Sequence, residues 1–138
     1  MHVLRLVEHA TQSRLPLACM LAQHQGEFLE HSHDCFELVY VLHGRGRHLI
    51  DGRPYPILAG DFYVMRPGDG HRYVAPQDLR IYNVLFQQQL FTADEWRELS
   101  ALPGLAPFLV GLTAGTRPMS RPTGPCPFAA LVVVATSW

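Results

Sequence analysis

The chain has 138 residues, a mass of 15.5 kDa, a formal net charge of −1 and 48% hydrophobic residues. That length suits one domain, and the apolar fraction is enough for a core, which excludes general disorder. All 11 basic residues are arginines, and they form no basic stripe, which argues against direct nucleic-acid contact.

Residues 1–15 lack the apolar core of a signal peptide. Short strands follow from the alternation and punctuation of the first ninety residues, at 3–7, 17–23, 36–42, 47–50, 62–65, 72–74 and 79–87. Turns are expected at Gly44-Arg45-Gly46, Asp51-Gly52, Ala59-Gly60-Asp61 and Pro67-Gly68-Asp69-Gly70. Asp51-Gly52 is a hairpin signal, because glycine accepts the positive φ that such a turn requires. Pro54 and Pro56 cannot donate to a ladder, so that stretch belongs at a sheet edge or outside the pairing. Many short strands at this spacing favour a closed or sandwiched antiparallel barrel.

The pattern changes at Thr92. Thr92 and Glu95 form a capping-box signature, and Trp96 and Leu99 follow on one helical face as packing residues, so a short helix is expected to about Leu102. A second apolar helix is expected at 105–112. Residues 113–127 read as a Pro- and Gly-rich linker, and 128–138 as an apolar β-prone run too short to span a bilayer. The cysteines, Cys19, Cys35 and Cys126, form no C-x-x-C pair, which suits reduced thiols in the cytoplasm. Cys35 reads as a buried, inert thiol.

The chemistry concentrates in one frame. His31, His33 and Glu37 share the parity of a single extended strand, so their side chains are expected on one face. His71 is expected from a second strand, aimed by the Pro67-Gly68 turn. Three imidazoles and one carboxylate suit a divalent transition ion (Zn, Ni, Mn, Fe or Co) with one or two positions left open. The same groups also suit the polar lining of a small-ligand pocket. His2, His9, His24 and His43 lack comparable spacing and read as surface or packing residues, whereas a strand at 47–50 can bring His48 into the same cavity. Arg66 and Arg72 flank the turn as candidate anion ligands at the barrel mouth.

The frame resembles the first cupin motif: His31, His33, Glu37 and Gly44 match it, with Gly26 one residue closer than usual. Gly60, Pro67 and His71 match the second motif, which departs at its end, where Ala75 stands for the expected asparagine and Asn83 lies nearby. The wider stretch 30–41, with Gly44, Gly46, His48, Pro54-Tyr55, Gly60-Asp61-Phe62 and 79–86, resembles the N-terminal ligand-sensing domain of AraC-type transcriptional regulators, especially those of sugar operons such as rhamnose. The resemblance covers roughly residues 15–112.

It implies an all-β cupin jelly roll (a double-stranded β-helix) over 1–90, a helical dimerisation segment over 91–112, and a Pro-rich tail over 113–138. It implies a homodimer that senses a small-molecule effector such as a sugar, with no catalytic residues of its own. The metal-like set is His31, His33, Glu37 and His71, and the added ligand lining is Tyr40, His48, Tyr73 and Asn83. Regulators of this kind carry helix-turn-helix units; after Leu112 only 26 residues remain, without a recognition-helix pattern, so DNA would be reached only through a domain outside this chain. Two alternatives stand beside the sensor: a stand-alone metal-dependent cupin enzyme (an oxygenase or isomerase), and a structural barrel serving dimerisation, its polar groups satisfied internally.

Overall fold

The structure, a computed structural model, describes residues 1–6, 15–102, 106 and 109. Its strands are β1 (His2–Leu4), β2 (Leu17–His24), β3 (His31–His33), β4 (Phe36–Ile50), β5 (Arg53–Leu58), β6 (Phe62–Met65) and β7 (His71–Phe86). A 3-10 turn at Gln88–Leu90 leads to the helix α1 (Ala93–Ala101). The strands form one sheet in the order β1-β3-β7-β4-β5, with β2 also on β7 and β6 also on β4. All pairs are antiparallel except β1 with β3. The fold is the expected all-β cupin with a short helix after it, although hydrogen bonding among the described residues does not close the sheet into a ring.

Two expectations about strand breaks are corrected. The separate strands at 36–42 and 47–50 are one strand, β4, and those at 72–74 and 79–87 are one strand, β7. Gly44-Arg45-Gly46 is not a turn. It lies within β4, where the pairing with β7 shifts register between Val41 and Arg47. Gly44 has φ +84°, and a Cβ there would collide with the Asp78 carbonyl. Glycine therefore lets the two backbones close on each other and bend, instead of reversing the chain.

Other turn signals hold as read. Asp51 and Gly52, with φ +48° and +74°, close the β4–β5 hairpin between Ile50 and Arg53. Pro54 and Pro56 sit on β5, the last strand on its side of the sheet, where a missing donor costs least.

Where Phe36–Val41 of β4 lies along Ile81–Phe86 of β7, the pair is largely buried on both faces. Its inner face carries Val39, Val41, Leu79 and Ile81, packed with Ile57, Tyr63 and Tyr73. Its outer face carries Phe36, Leu38, Val84 and Phe86 with Phe62 and Val64. Phe91, Trp96 and Leu109 cover that outer face. The capping box is present: Thr92 Oγ1 accepts from the Glu95 N–H, and the Glu95 carboxylate accepts from the Thr92 N–H. Apart from Ala106 and Leu109, the expected helix at 105–112 and the tail at 113–138, with Cys126, lie outside the described residues.

Candidate metal and effector centre

His31 and His33 belong to β3 and Glu37 to β4, so the three do not share one continuous strand as the spacing suggested. Asp34 and Cys35 form a bend between them. The Asp34 carboxylate accepts from the Leu6 N–H at 2.8 Å, and its own N–H donates to the Leu4 carbonyl at 3.2 Å. Because the bend takes two residues, the alternation resumes in phase and Glu37 still meets the histidines. Cys35 packs against Leu6, Ala18 and Leu85, and burial pushes its thiol up to about 12, which fits an inert thiol.

His71 opens β7 directly opposite His31. The turn before it is fastened from three sides. Gly68 N–H donates to the His33 carbonyl at 2.9 Å, and Asp51 N–H donates to the Gly70 carbonyl at 2.8 Å. The Arg66 guanidinium holds both Asp69 oxygens, at 3.1 and 3.2 Å. Arg66, one of the two candidate anion ligands, is therefore committed to its own turn. Arg72 lies between the inward residues His71 and Tyr73, and so on the opposite side of the strand.

The donor atoms of His31, His33 and His71 lie within 4.8 Å of one another, all on buried side chains. Glu37 Oε2 is 3.3 Å from Nε2 of both His33 and His71. Its other oxygen accepts from Asn83 Nδ2 at 2.6 Å. His31 Nδ1 is 2.9 Å from the Leu29 carbonyl, which can only accept, so the His31 proton sits on Nδ1 and its Nε2 is bare. His71 Nδ1 faces His48 Nε2 at 2.9 Å.

Several buried atoms are left without a hydrogen bond: both His33 nitrogens, Glu37 Oε2, His71 Nε2, Asn83 Oδ1, His48 Nδ1 and Tyr73 OH. The 3.3 Å contacts of Glu37 have ion-pair distances but not hydrogen-bond alignment. An orphaned buried polar group costs about 1–3 kcal/mol, so a cluster of them facing one point is expensive unless something binds there. Nitrogens from three imidazoles and one carboxylate oxygen fit a divalent transition ion, and His31 and His71 carry the outer hydrogen bonds that metal-binding imidazoles ordinarily make.

The protonation states agree with that fit. Burial holds His71 and His48 down to about 3, and also lowers His31, so these rings are neutral near pH 7. Burial opposes ionisation of Glu37, but the adjoining His33 and His71 rings outweigh it and keep the carboxyl below its usual range. Neutral imidazole and ionised carboxylate are the metal-ligating forms.

Of the four added lining residues, three converge here. His48 touches His71, Tyr73 stacks on His48 with centroids 4.6 Å apart, and Asn83 holds Glu37. Tyr40 does not. It is an odd number of residues from Glu37, so β4 turns it to the outer face, against the cluster of Phe36 and Leu38. Sequence reading passed over one contact: His24 packs on Tyr73 at 4.9 Å and on Phe28 at 5.5 Å, and Phe28 in turn meets His31 at 4.9 Å. The spacing of His24 gave no sign of this, because its partners are Tyr73 on the distant strand β7 and Phe28 in the loop after β2.

A bent antiparallel sheet with three imidazoles and a carboxylate gathered inside it defines a cupin-class domain. A Cupin 2 conserved barrel domain protein from Salinispora arenicola CNS-205 is similar, with a TM-score of 0.50, 25% identity, and coverage of 57% of this chain and 70% of that one. The chain belongs to the family of AraC-like ligand binding domains, whose pattern matches residues 16–122. It is 38% identical over 101 residues to the HTH-type transcriptional activator RhaS of Escherichia fergusonii, covering 73% of this chain and 32% of that protein. It is 33% identical over 102 residues to the HTH-type transcriptional activator RhaR of Cronobacter sakazakii, covering 73% and 36%. The chain thus spans about a third of the length of these relatives. Among the described residues no helix is long and apolar enough to cross a membrane.

Proposed function

We propose that this chain is the effector-sensing part of a transcriptional regulator, and that it binds a small polyhydroxylated molecule, a sugar, at the centre formed by His31, His33, Glu37 and His71. The observation that carries this reading is the set of buried, unpartnered polar atoms aimed at that centre in a chain of this family. Tyr73 and Asn83 add a phenol and an amide beside it. His31, His33, His71 and Glu37 would hold a divalent ion, which would supply Lewis acidity toward a hydroxyl oxygen.

The barrel (1–90) reports occupancy through the helical segment (91–112) to a second copy of the chain, and DNA is contacted by helix-turn-helix units such as the related activators are named for. The docking of Trp96 on the outer face of β4–β7 supports that route, because the same two strands carry Glu37, Asn83 and His71 on their inner face. Signalling follows if the effector binds one of two arrangements of the domain better than the other.

A thermal-shift screen of monosaccharides and small acids tests this, run once with chelator and once with each candidate ion restored. At least one sugar should raise Tm by several degrees. Silence across the panel in every condition would overturn it. A metal-dependent enzyme is the second reading, favoured by the imidazole triad. Chemical change of a bound compound, lost in a His31→Ala/His33→Ala variant, would move the assignment there.

A further inference from the structure

We infer that His48 is the positioning residue that fixes His71 as an Nε2 ligand, so that metal affinity is set by a residue that never touches the ion. This rests on the metal reading above and adds a role to a residue that the spacing could only place in the cavity.

The geometry is specific. His48 is 0% exposed and faces Tyr73 across the β4–β7 ladder. Tyr73 stacks on its ring at 4.6 Å and 22°, and Tyr63 meets it edge-on at 5.0 Å and 84°. Clamped between two phenol rings, the imidazole cannot turn without displacing the inner core. Its Nε2 is occupied by His71 Nδ1 at 2.9 Å, so the nitrogen that faces His71 is already engaged.

A hydrogen bond between two neutral imidazoles contains one proton, and either ring can own it. If His48 owns it, His71 carries its own proton on Nε2, facing Glu37, and cannot bind an ion there. If His71 owns it, Nδ1–H donates to His48 Nε2 and the His71 Nε2 lone pair is free. Coordination through His71 Nε2 therefore requires His48 to act as acceptor. Its own proton then lies on Nδ1, which is buried without a partner.

The other three groups differ in what holds them. His31 is oriented by the Leu29 backbone carbonyl and Glu37 by Asn83. His33 has no hydrogen-bond partner at either nitrogen, and Glu37 Oε2, at 3.3 Å, lies against its Nε2. Among the described residues, His48 is thus the side chain whose hydrogen bond sets an imidazole tautomer in this centre, and outer partners of this kind change metal affinity by about 10- to 100-fold when removed.

The test uses the full chain, titrated with zinc by calorimetry and with cobalt by visible absorption. His48→Phe keeps a ring between Tyr63 and Tyr73 but removes the acceptor, and should weaken zinc binding by about 10- to 100-fold. His48→Gln restores an acceptor oxygen and should recover most of the loss, with a wild-type cobalt spectrum. Nitrogen-15 correlation spectra of the zinc-loaded wild type should place the His71 proton on Nδ1, a readout that a purely structural role would not require. Equal zinc affinity in wild type and His48→Phe overturns the inference and leaves the metal reading standing. Absence of zinc binding by the wild type overturns both. If His48→Phe does not fold, the ring spectra decide: a His71 bound to zinc through Nδ1, or still protonated on Nε2, overturns the inference.

Discussion

The two faces of the β4–β7 pair are both buried where Phe36–Val41 meets Ile81–Phe86, but they are chemically opposite. The outer face is Phe36, Leu38, Val84 and Phe86, sealed by Phe91 and Trp96. The inner face changes along its length, from Val39, Val41 and Ile81 to Glu37, Asn83 and the histidines. The outer face gives up nothing for its burial, whereas the inner one leaves polar atoms without partners. One face supplies stability, and the other spends part of it on a binding centre.

Breaking the outer face should therefore have the largest effect on folding. Phe86→Ala should cost about 3–5 kcal/mol by urea unfolding. Under native conditions the folded fraction should still bind zinc with wild-type affinity; a matching loss of affinity would show that the faces are not separable.

Acid should act mainly on the inner face. His71 and His48 have folded pKa values near 3 against about 6.5 when unfolded, so the unfolded chain binds more protons between those limits. Stability of the chelator-treated chain is then full above about pH 6.5 and falls as pH drops toward 3, by up to about 1.4 kcal/mol per pH unit for each ring. Glu37, whose carboxyl is held low, adds a loss of the same sign as pH falls below about 4.5. Tm measured against pH should show this slope, and His48→Phe should flatten it. A profile unchanged by that substitution would count against a buried neutral His48.

Glu37→Gln sharpens the contrast, because it should separate function from stability. The amide oxygen can still accept from Asn83, while the buried charge is gone. Unfolding free energy should stay within about 1 kcal/mol of wild type or rise, and zinc affinity should drop roughly tenfold or more. A large destabilisation with binding intact would reverse the roles assigned to the two faces.

The smallest effect belongs to the edge of the outer cover. Thr92→Ala removes one half of the capping box and should cost about 1 kcal/mol, read by urea unfolding, with no change in zinc binding.

Much of this was legible in the residues. The capping box, the Asp51-Gly52 hairpin, the edge prolines and the strand at Phe62–Met65 all obey local rules, and each appears where those rules put it. Gly44 and Gly46 were misread, because a glycine pair marks both a turn and a close approach of two strands, and only the position of Asp78 and Pro76 distinguishes them. Tyr40 was misplaced although its parity was available: both faces of β4 are buried, so the usual contrast of polar and apolar that marks the inner side was missing.

By itself the sequence determined the spacing of His31, His33 and Glu37, the turn that delivers His71, and hence the family. Those depend on backbone periodicity and on glycine and proline chemistry, which act over a few residues. Only the tertiary structure decided that His48 backs His71, that Asn83 holds Glu37, and that Arg66 is spent on Asp69. The first two are pairings across 23 and 46 residues of chain, fixed by how two long strands bend and align, and no local preference encodes them. The third spans only three residues, but it depends on the turn being pinned to His33 and Asp51 from outside.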